Sequence, residues 1–165
     1  MIPFVDLTRN EKKFHSEWLE KVSYITKSTS FVDGVETYQL EKKLSELTNL
    51  KHSVTTGNGT DAIQIALRAC GIGINDTVII QNNTFWATCE AVFNVGAMPI
   101  IVDIENRHAS FDLNLLEDAL VKTKPSAVII AHIYGWSSQS LLQIRKLCLD
   151  KDVFLIEDGA QSFGT

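Results

Sequence analysis

Hydrophobic positions change their spacing once along this chain, near His52. Before it, Glu11 to Lys27 carries Phe14, Trp18, Val22 and Ile25 on one side, the spacing of an amphipathic helix lying against something larger. A break at Phe31–Gly34 follows. Tyr38, Leu40, Leu44 and Leu47 then mark a second helix, with Glu41, Lys42 and Lys43 on its wet side. Beyond His52, short β-branched runs alternate with helical segments. Ser53–Thr56, Val78–Gln81, Ile100–Asp103, Ala127–Ala131 and Val153–Ile156 read as buried strands. Asp61–Cys70, Phe85–Val95, Leu113–Val121 and Leu141–Leu149 read as the helices between them. Gly71 and Gly96 are placed to end helices, Asp112 to cap one, and Ser140-x-x-Gln143 to form a capping box. This alternation predicts an α/β three-layer sandwich, with a mostly parallel sheet reached by right-handed crossovers. Residues 1–50 form a helical segment ahead of it, and 51–165 the α/β domain.

Composition narrows the function classes. The 165 residues are 45% hydrophobic and 21% charged, enough apolar content for one core. The net charge of −5 argues against a sequence-independent grip on nucleic acid or an anionic membrane surface. No apolar run reaches the roughly 20 residues of a membrane span. Asp6, Arg9, Glu11 and Lys12 interrupt any leader-like start. Cys70, Cys89 and Cys148 have no paired spacing and suit a reduced, cytoplasmic protein.

Candidate chemistry falls where strands end, the edge at which open α/β sheets bind ligands. In Thr56-Gly-Asn-Gly-Thr-Asp-Ala62, Gly57 and Gly59 permit positive φ and close ligand approach. Thr60 and Asp61 stand at a helix start suited to phosphate. The same residues also fit an ordinary turn with Thr60 as N-cap. The spacing Gly57-x-Gly59-x-x-Ala62 further admits a Rossmann-like NAD-binding oxidoreductase domain. That reading wants an acidic residue at the end of the next strand, whereas Asp76 stands before it. In Asn83-Thr-Phe-Trp-Ala-Thr88, two adjacent aromatics offer a stacking surface for a flat ligand or pack under the helix. In Ile156-Glu-Asp-Gly-Ala-Gln161, Asp158 follows a buried strand and suits a protonated ring nitrogen, or an unseen Lys or Arg. His132 has no second His at ligand spacing, so no metal site is expected. Of its two other readings, lining the pocket or a satisfied structural histidine, the second is the simpler. A phosphate cradle, a stacking ring and an aspartate for a pyridinium are together what pyridoxal 5'-phosphate requires.

In its motifs the sequence resembles the DegT/StrS-type, pyridoxal-phosphate-dependent sugar aminotransferases of fold type I. The resemblance is carried by Ile2-Pro-Phe-Val-Asp-Leu7, Phe31-Val-Asp-Gly34, Gly57-Asn-Gly-Thr-Asp-Ala62, Leu67-Arg-Ala-Cys-Gly-Ile-Gly73 and Thr84-Phe-Trp-Ala-Thr88. Gly96-Ala-Met-Pro-Ile-Ile-Val-Asp103, His132-Ile-Tyr-Gly135 and Glu157-Asp-Gly-Ala-Gln161 continue it in order. The resemblance implies that Gly59, Thr60 and Asp61 bind the cofactor phosphate and that Phe85 stacks on its ring. It implies too that Asp158 pairs with the ring nitrogen and that Gln161 sits near the ring hydroxyl. Gly159 replaces the family's usual alanine. Further implications are an amino donor, usually glutamate, a nucleotide-linked keto sugar as acceptor, and a homodimer. The family's Schiff-base lysine lies a few tens of residues beyond Gln161, and Lys51, Lys122, Lys124 and Lys151 lie away from the site edge. The sequence is therefore expected to be an N-terminal fragment, with the rest of the large domain and the small domain absent, and inactive alone. A naturally truncated, non-catalytic remnant is the other expectation.

Overall fold

The computed structural model describes residues 2, 4, 6, 12–107 and 109–164. Glu11, the expected first residue of the opening helix, and Pro3, Val5 and Leu7 of the opening motif lie outside them. The chain divides into two compact units, Met1–Thr55 and Thr56–Thr165.

The first unit holds α1 (Lys12–Ser28) and α2 (Val35–Thr48), tied by an ion pair between Lys21 Nζ and Glu36 Oε1 at 3.4 Å. The apolar stripe of α1 stays open, with Phe14, Trp18 and Val22 exposed, and α2 buries no residue. The expected strand Ser53–Thr56 does not form. Thr55 gives its N–H and its hydroxyl to Glu41 Oε1, at 2.8 and 2.9 Å, instead of to a ladder partner. Those two donors hold the Glu41 carboxyl below its usual range.

In the second unit, α3 (Gly59–Ala69) precedes β1 (Thr77–Gln81), α4 (Trp86–Asn94) and β2 (Met98–Val102). Then come α5 (Leu113–Thr123), β3 (Ala127–Ala131), a 3₁₀ turn at Ile133–Gly135, α6 (Leu141–Asp150) and β4 (Phe154–Asp158). The four strands pair in parallel in the order β2-β1-β3-β4. Central β1 and β3 are buried along almost their whole length, which is why both read as continuous apolar runs. Their side chains alternate between two cores. Val78, Ile80 and Ile129 meet Leu67, Ala91 and Val92 of α3 and α4. Ile79, Val128 and Ile130 meet Leu116, Leu120 and Ile144 of α5 and α6. Helices thus cover both faces, and the chain crosses from one face to the other where β1 lies between β2 and β3.

Several boundaries differ from the sequence reading. Pro99 sits inside β2, tolerated because β2 is an edge strand, so that strand starts at Met98 and ends before Asp103. Strand β4 runs on through Glu157 and Asp158, whose backbone pairs with Ile130 and Ala131. Asp112 caps α5 through the N–H groups of Asn114 and Leu115, but the Ser140 side chain caps nothing in α6. Helix α3 is capped by Asn58, not Thr60. Gly71 and Gly96 follow the ends of α3 and α4, as expected, and take positive φ, whereas Gly57 and Gly59 do not.

Candidate active site at the carboxyl edge of the sheet

Strands β1 and β3 part at their C-terminal ends. Their register stops at Ile80↔Ile129, while β3 and β4 stay paired to Ala131↔Asp158. Gln81, 1% exposed, bridges the gap between the strands outside the cavity lining. Its Nε2 donates to the Ala109 carbonyl at 2.7 Å, and its Oε1 accepts from the Ala131 N–H at 2.6 Å. Above lies a cavity of about 330 Å³. Asn58, Gly59, Thr60 and Ile63 of α3 line it, with Phe85 and Ala87 at the start of α4. The ends of β3 and β4 complete the lining through Ala131, His132, Ile133, Asp158, Ala160 and Gln161. A ligand site at the point where strand order reverses is what doubly wound topology favours.

The α3 end of the cavity is an anion cradle. Asn58 Oδ1 accepts from the Asp61 N–H at 2.8 Å, and Asn58 Nδ2 donates to Asp61 Oδ2 at 2.9 Å, a reciprocal cap. The N–H groups of Gly59 and Thr60 take no partner among the described residues, and they stand at the positive end of α3. A Cβ built on Gly59 meets nothing within 4 Å, so neither φ nor crowding within the chain calls for glycine there. Asp61 lies beside this cradle, outside the lining, with its carboxylate closed onto Asn58.

Phe85 is the N-cap residue of α4 and stands 63% exposed on the cavity wall. The adjacent Trp86 does not line the cavity. Opposite, Asp158 is clamped at both oxygens: the Ala160 N–H donates to Oδ1 at 3.2 Å, and the Thr88 hydroxyl to Oδ2 at 3.2 Å. Gln161 turns its Oε1 to the Tyr134 N–H at 2.6 Å, leaving its amide Nε2 as its free donor. That bond helps hold Tyr134 at φ 57, a left-handed conformation rare for a side chain of this bulk.

His132 is 7% exposed and only half satisfied. Its Nε2 lies 3.5 Å from Glu157 Oε2, while its buried Nδ1 has no partner among the described residues. Glu157 faces away from Asp158 along β4 and pairs with Arg145 Nε at 3.0 Å. Among the described residues no lysine lines the cavity. Lys124 and Lys151 border a groove with Pro125 and Val153, beside the strand starts.

Of the six residues expected at the site, the structure gathers Gly59, Thr60, Phe85, Asp158 and Gln161 around one cavity and leaves Asp61 at its border. Asn58, Gln81 and Thr88 went unread. Asn58-x-x-Asp61 carries a capping signal, masked by the nearer claim of Thr60. A glutamine and a threonine inside apolar runs announce nothing until their partners, 50 and 70 residues on, are known. The Rossmann-like alternative loses its footing, because its glycines follow no strand.

A sequence profile of the DegT/DnrJ/EryC1/StrS aminotransferase family matches residues 12–165. The UDP-N-acetyl-3-dehydro-alpha-D-glucosamine 3-aminotransferase of Acidithiobacillus ferrooxidans is 36% identical over 163 residues, covering 99% of this chain and 44% of that protein. A DegT DnrJ EryC1 StrS aminotransferase from Brucella abortus superposes with a TM-score of 0.92 at 30% identity, over 99% of this chain and 45% of that one. NtdA from Bacillus subtilis, with bound cofactor PMP, does so at 0.91 and 30%, over 99% and 37%. The chain spans less than half the length of these relatives.

Proposed function

Because this chain belongs to the DegT/DnrJ/EryC1/StrS aminotransferase family, we propose that it is the cofactor-gripping N-terminal part of a sugar aminotransferase. The reaction moves an amino group from glutamate onto a keto sugar carried by a nucleotide, with pyridoxal 5'-phosphate as cofactor. One observation carries the reading: the open start of α3, the exposed face of Phe85 and the clamped carboxylate of Asp158 converge on a single cavity.

The residues fit the cofactor on their own chemistry. The N–H groups of Gly59 and Thr60 bind the phosphate, and the space left by the missing Gly59 side chain admits its oxygens. The Phe85 ring covers one face of the pyridine. Asp158 accepts the hydrogen bond of the protonated ring nitrogen and stabilises its charge. Gln161 offers Nε2 to the ring oxygen, its Oε1 being engaged by Tyr134. Asp61 acts one step away, by fixing Asn58 and so the helix start. When bound, the cofactor supplies an electron-accepting ring for the pair left as the amino donor loses its α-proton.

With no lysine among the described residues of the cavity wall, the 165 residues are expected to bind cofactor without turning over. A homodimer suits the exposed Trp18, Tyr38, Leu40 and Leu47 of the first unit. The cytoplasm is its proposed place of action; among the described residues no helix is long and apolar enough to cross a membrane.

Pyridoxamine 5'-phosphate needs no lysine to bind and is the probe of choice. Titrated into the protein, it is expected to saturate one site per chain, with Asp158→Asn weakening it by about 100-fold, the loss of a charge-assisted hydrogen bond in a cavity. Binding of NADH together with no response to pyridoxamine 5'-phosphate would overturn the reading.

A further inference from the structure

We propose that Thr88 is a positioning residue for Asp158, and that the chain Thr84–Thr88–Asp158 sets how firmly the carboxylate meets a ring nitrogen. The proposal rests on the cofactor reading above and adds residues that this reading does not assign.

Thr88 lies in the first turn of α4 and is fully buried. A threonine there has a local outlet, the carbonyl one turn back. Thr26, Thr48 and Thr123 use it in their own helices, donating to the carbonyls of Val22, Leu44 and Ala119 at 2.7 to 2.9 Å. Thr88 does not. Its hydroxyl crosses to Asp158 Oδ2, 70 residues away, at 3.2 Å, and its oxygen lies 2.9 Å from the Thr84 hydroxyl. A hydroxyl has one proton and a carboxylate has none to give. Thr88 therefore donates to Asp158, and Thr84 donates to Thr88. The two-step chain polarises toward the carboxylate.

The geometric consequence follows from where the clamps attach. Ala160 fixes one carboxylate oxygen from within the β4 loop, and Thr88 fixes the other from α4. The same turn of α4 begins with Phe85, the stacking ring. One helical turn thus sets both the plane on which a flat ring rests and the direction from which the aspartate meets its edge. Without the Thr88 hydroxyl, the carboxylate keeps only its local anchor and turns freely about its last bond.

The test uses pyridoxamine 5'-phosphate labelled with nitrogen-15 in the ring, whose resonance reports the proton on that nitrogen. Thr88→Val keeps the shape and removes the hydroxyl. It is expected to weaken binding about tenfold and to move the bound resonance toward the unprotonated value. Thr88→Ser restores both, and Thr84→Val gives a smaller shift in the same direction. Should the valine variant fail to fold, the serine variant carries the test, with a wild-type resonance expected despite a lower melting temperature, and a displaced one overturning the proposal. A Thr88→Val protein with wild-type affinity and resonance, in a background where Asp158→Asn loses both, reduces Thr88 to packing and overturns the inference alone. Indifference of the probe to Asp158→Asn as well overturns the cofactor reading with it.

Discussion

Two aspartates stand at opposite ends of one sheet, and they differ in what they are for. Asp76, just before β1, is fully engaged by its own chain: Ser126 donates its hydroxyl to one oxygen and the Gly73 N–H donates to the other at 2.8 Å. Its carbonyl takes the Met98 N–H at 2.9 Å. The neighbouring bonds from Ser126 N–H to the Thr77 carbonyl and from Phe154 N–H to the Ser126 carbonyl carry the stitching across all four strands. At the other edge, β1 and β3 separate, a glutamine side chain replaces the ladder between them, and Asp158 is held by two longer bonds beside a cavity. One edge spends its polar groups on itself, and the other leaves N–H groups, an aromatic face and a carboxylate for something else. The amino edge is therefore where substitutions should cost stability, and the carboxyl edge where they should cost binding.

The largest effect on stability is expected at Gly96, on the amino edge before β2. Its φ is +88, and a Cβ there would stand 2.8 Å from Ile74 Cγ1. Gly96→Ala must bear the left-handed backbone and displace Ile74 together, about 2 kcal/mol in all. Equilibrium denaturation measures it, and affinity for pyridoxamine 5'-phosphate should stay within twofold. A loss of binding larger than the loss of stability would break the division between the edges.

Asp76→Asn comes next, at about 1 kcal/mol, roughly 3 °C in melting temperature for a domain of this size. Its pH dependence separates the charge from the packing. The Ser126 hydroxyl first, and the Gly73 N–H second, hold the Asp76 carboxyl below its ordinary value, against the opposing effect of burial. A group depressed in the folded state contributes its stabilisation above its unfolded pKa, and loses it as pH falls through the folded one. The gap between wild type and Asp76→Asn is thus expected to be constant from pH 7 to about 5 and to close below about 4. Thermal melts across that range check it.

The same contrast explains what was legible in the sequence. Strands β1 and β3 announce themselves because burial on both faces leaves runs such as Val78-Ile-Ile and Val128-Ile-Ile with no polar interruption. Gly96 and Gly71 read correctly because positive φ is a property of the backbone at that position. Gly59, Thr60, Phe85 and Asp158, expected from residue type, and Gln161, expected from the family resemblance alone, all line one cavity. What stayed hidden depends on distant partners. The stretch 53–56 looks like a strand until Glu41 is seen to take the Thr55 N–H. Ser140 has the spacing of a cap without the bond. Thr88 and Gln81 look like interruptions of apolar helix and strand, and only the pairing of β3 with β4 and the opening beside β1 give them work. Cys148 is the opposite case. A lone cysteine predicts little, and here burial simply pushes its thiol up to about 11 and keeps it inert.

Gly59 gives the smallest expected change in stability, and it tests the contrast most sharply because it is a glycine of the carboxyl edge set against Gly96 of the amino edge. It lies outside the left-handed region, and an added Cβ meets nothing within 4 Å. Alanine also favours the first turn of a helix over glycine. Gly59→Ala is therefore expected to leave unfolding within about 0.5 kcal/mol of wild type, on either side. The methyl group nevertheless enters the space over the free N–H groups at the start of α3, where phosphate oxygens must approach to hydrogen-bond distance. Affinity for pyridoxamine 5'-phosphate should fall about tenfold, while pyridoxamine, which lacks the phosphate and binds more weakly, should lose almost nothing. Equal losses for the two ligands would mean that the cradle at α3 does not hold the phosphate. A stability loss like that of Gly96→Ala would mean that the glycine serves the fold after all.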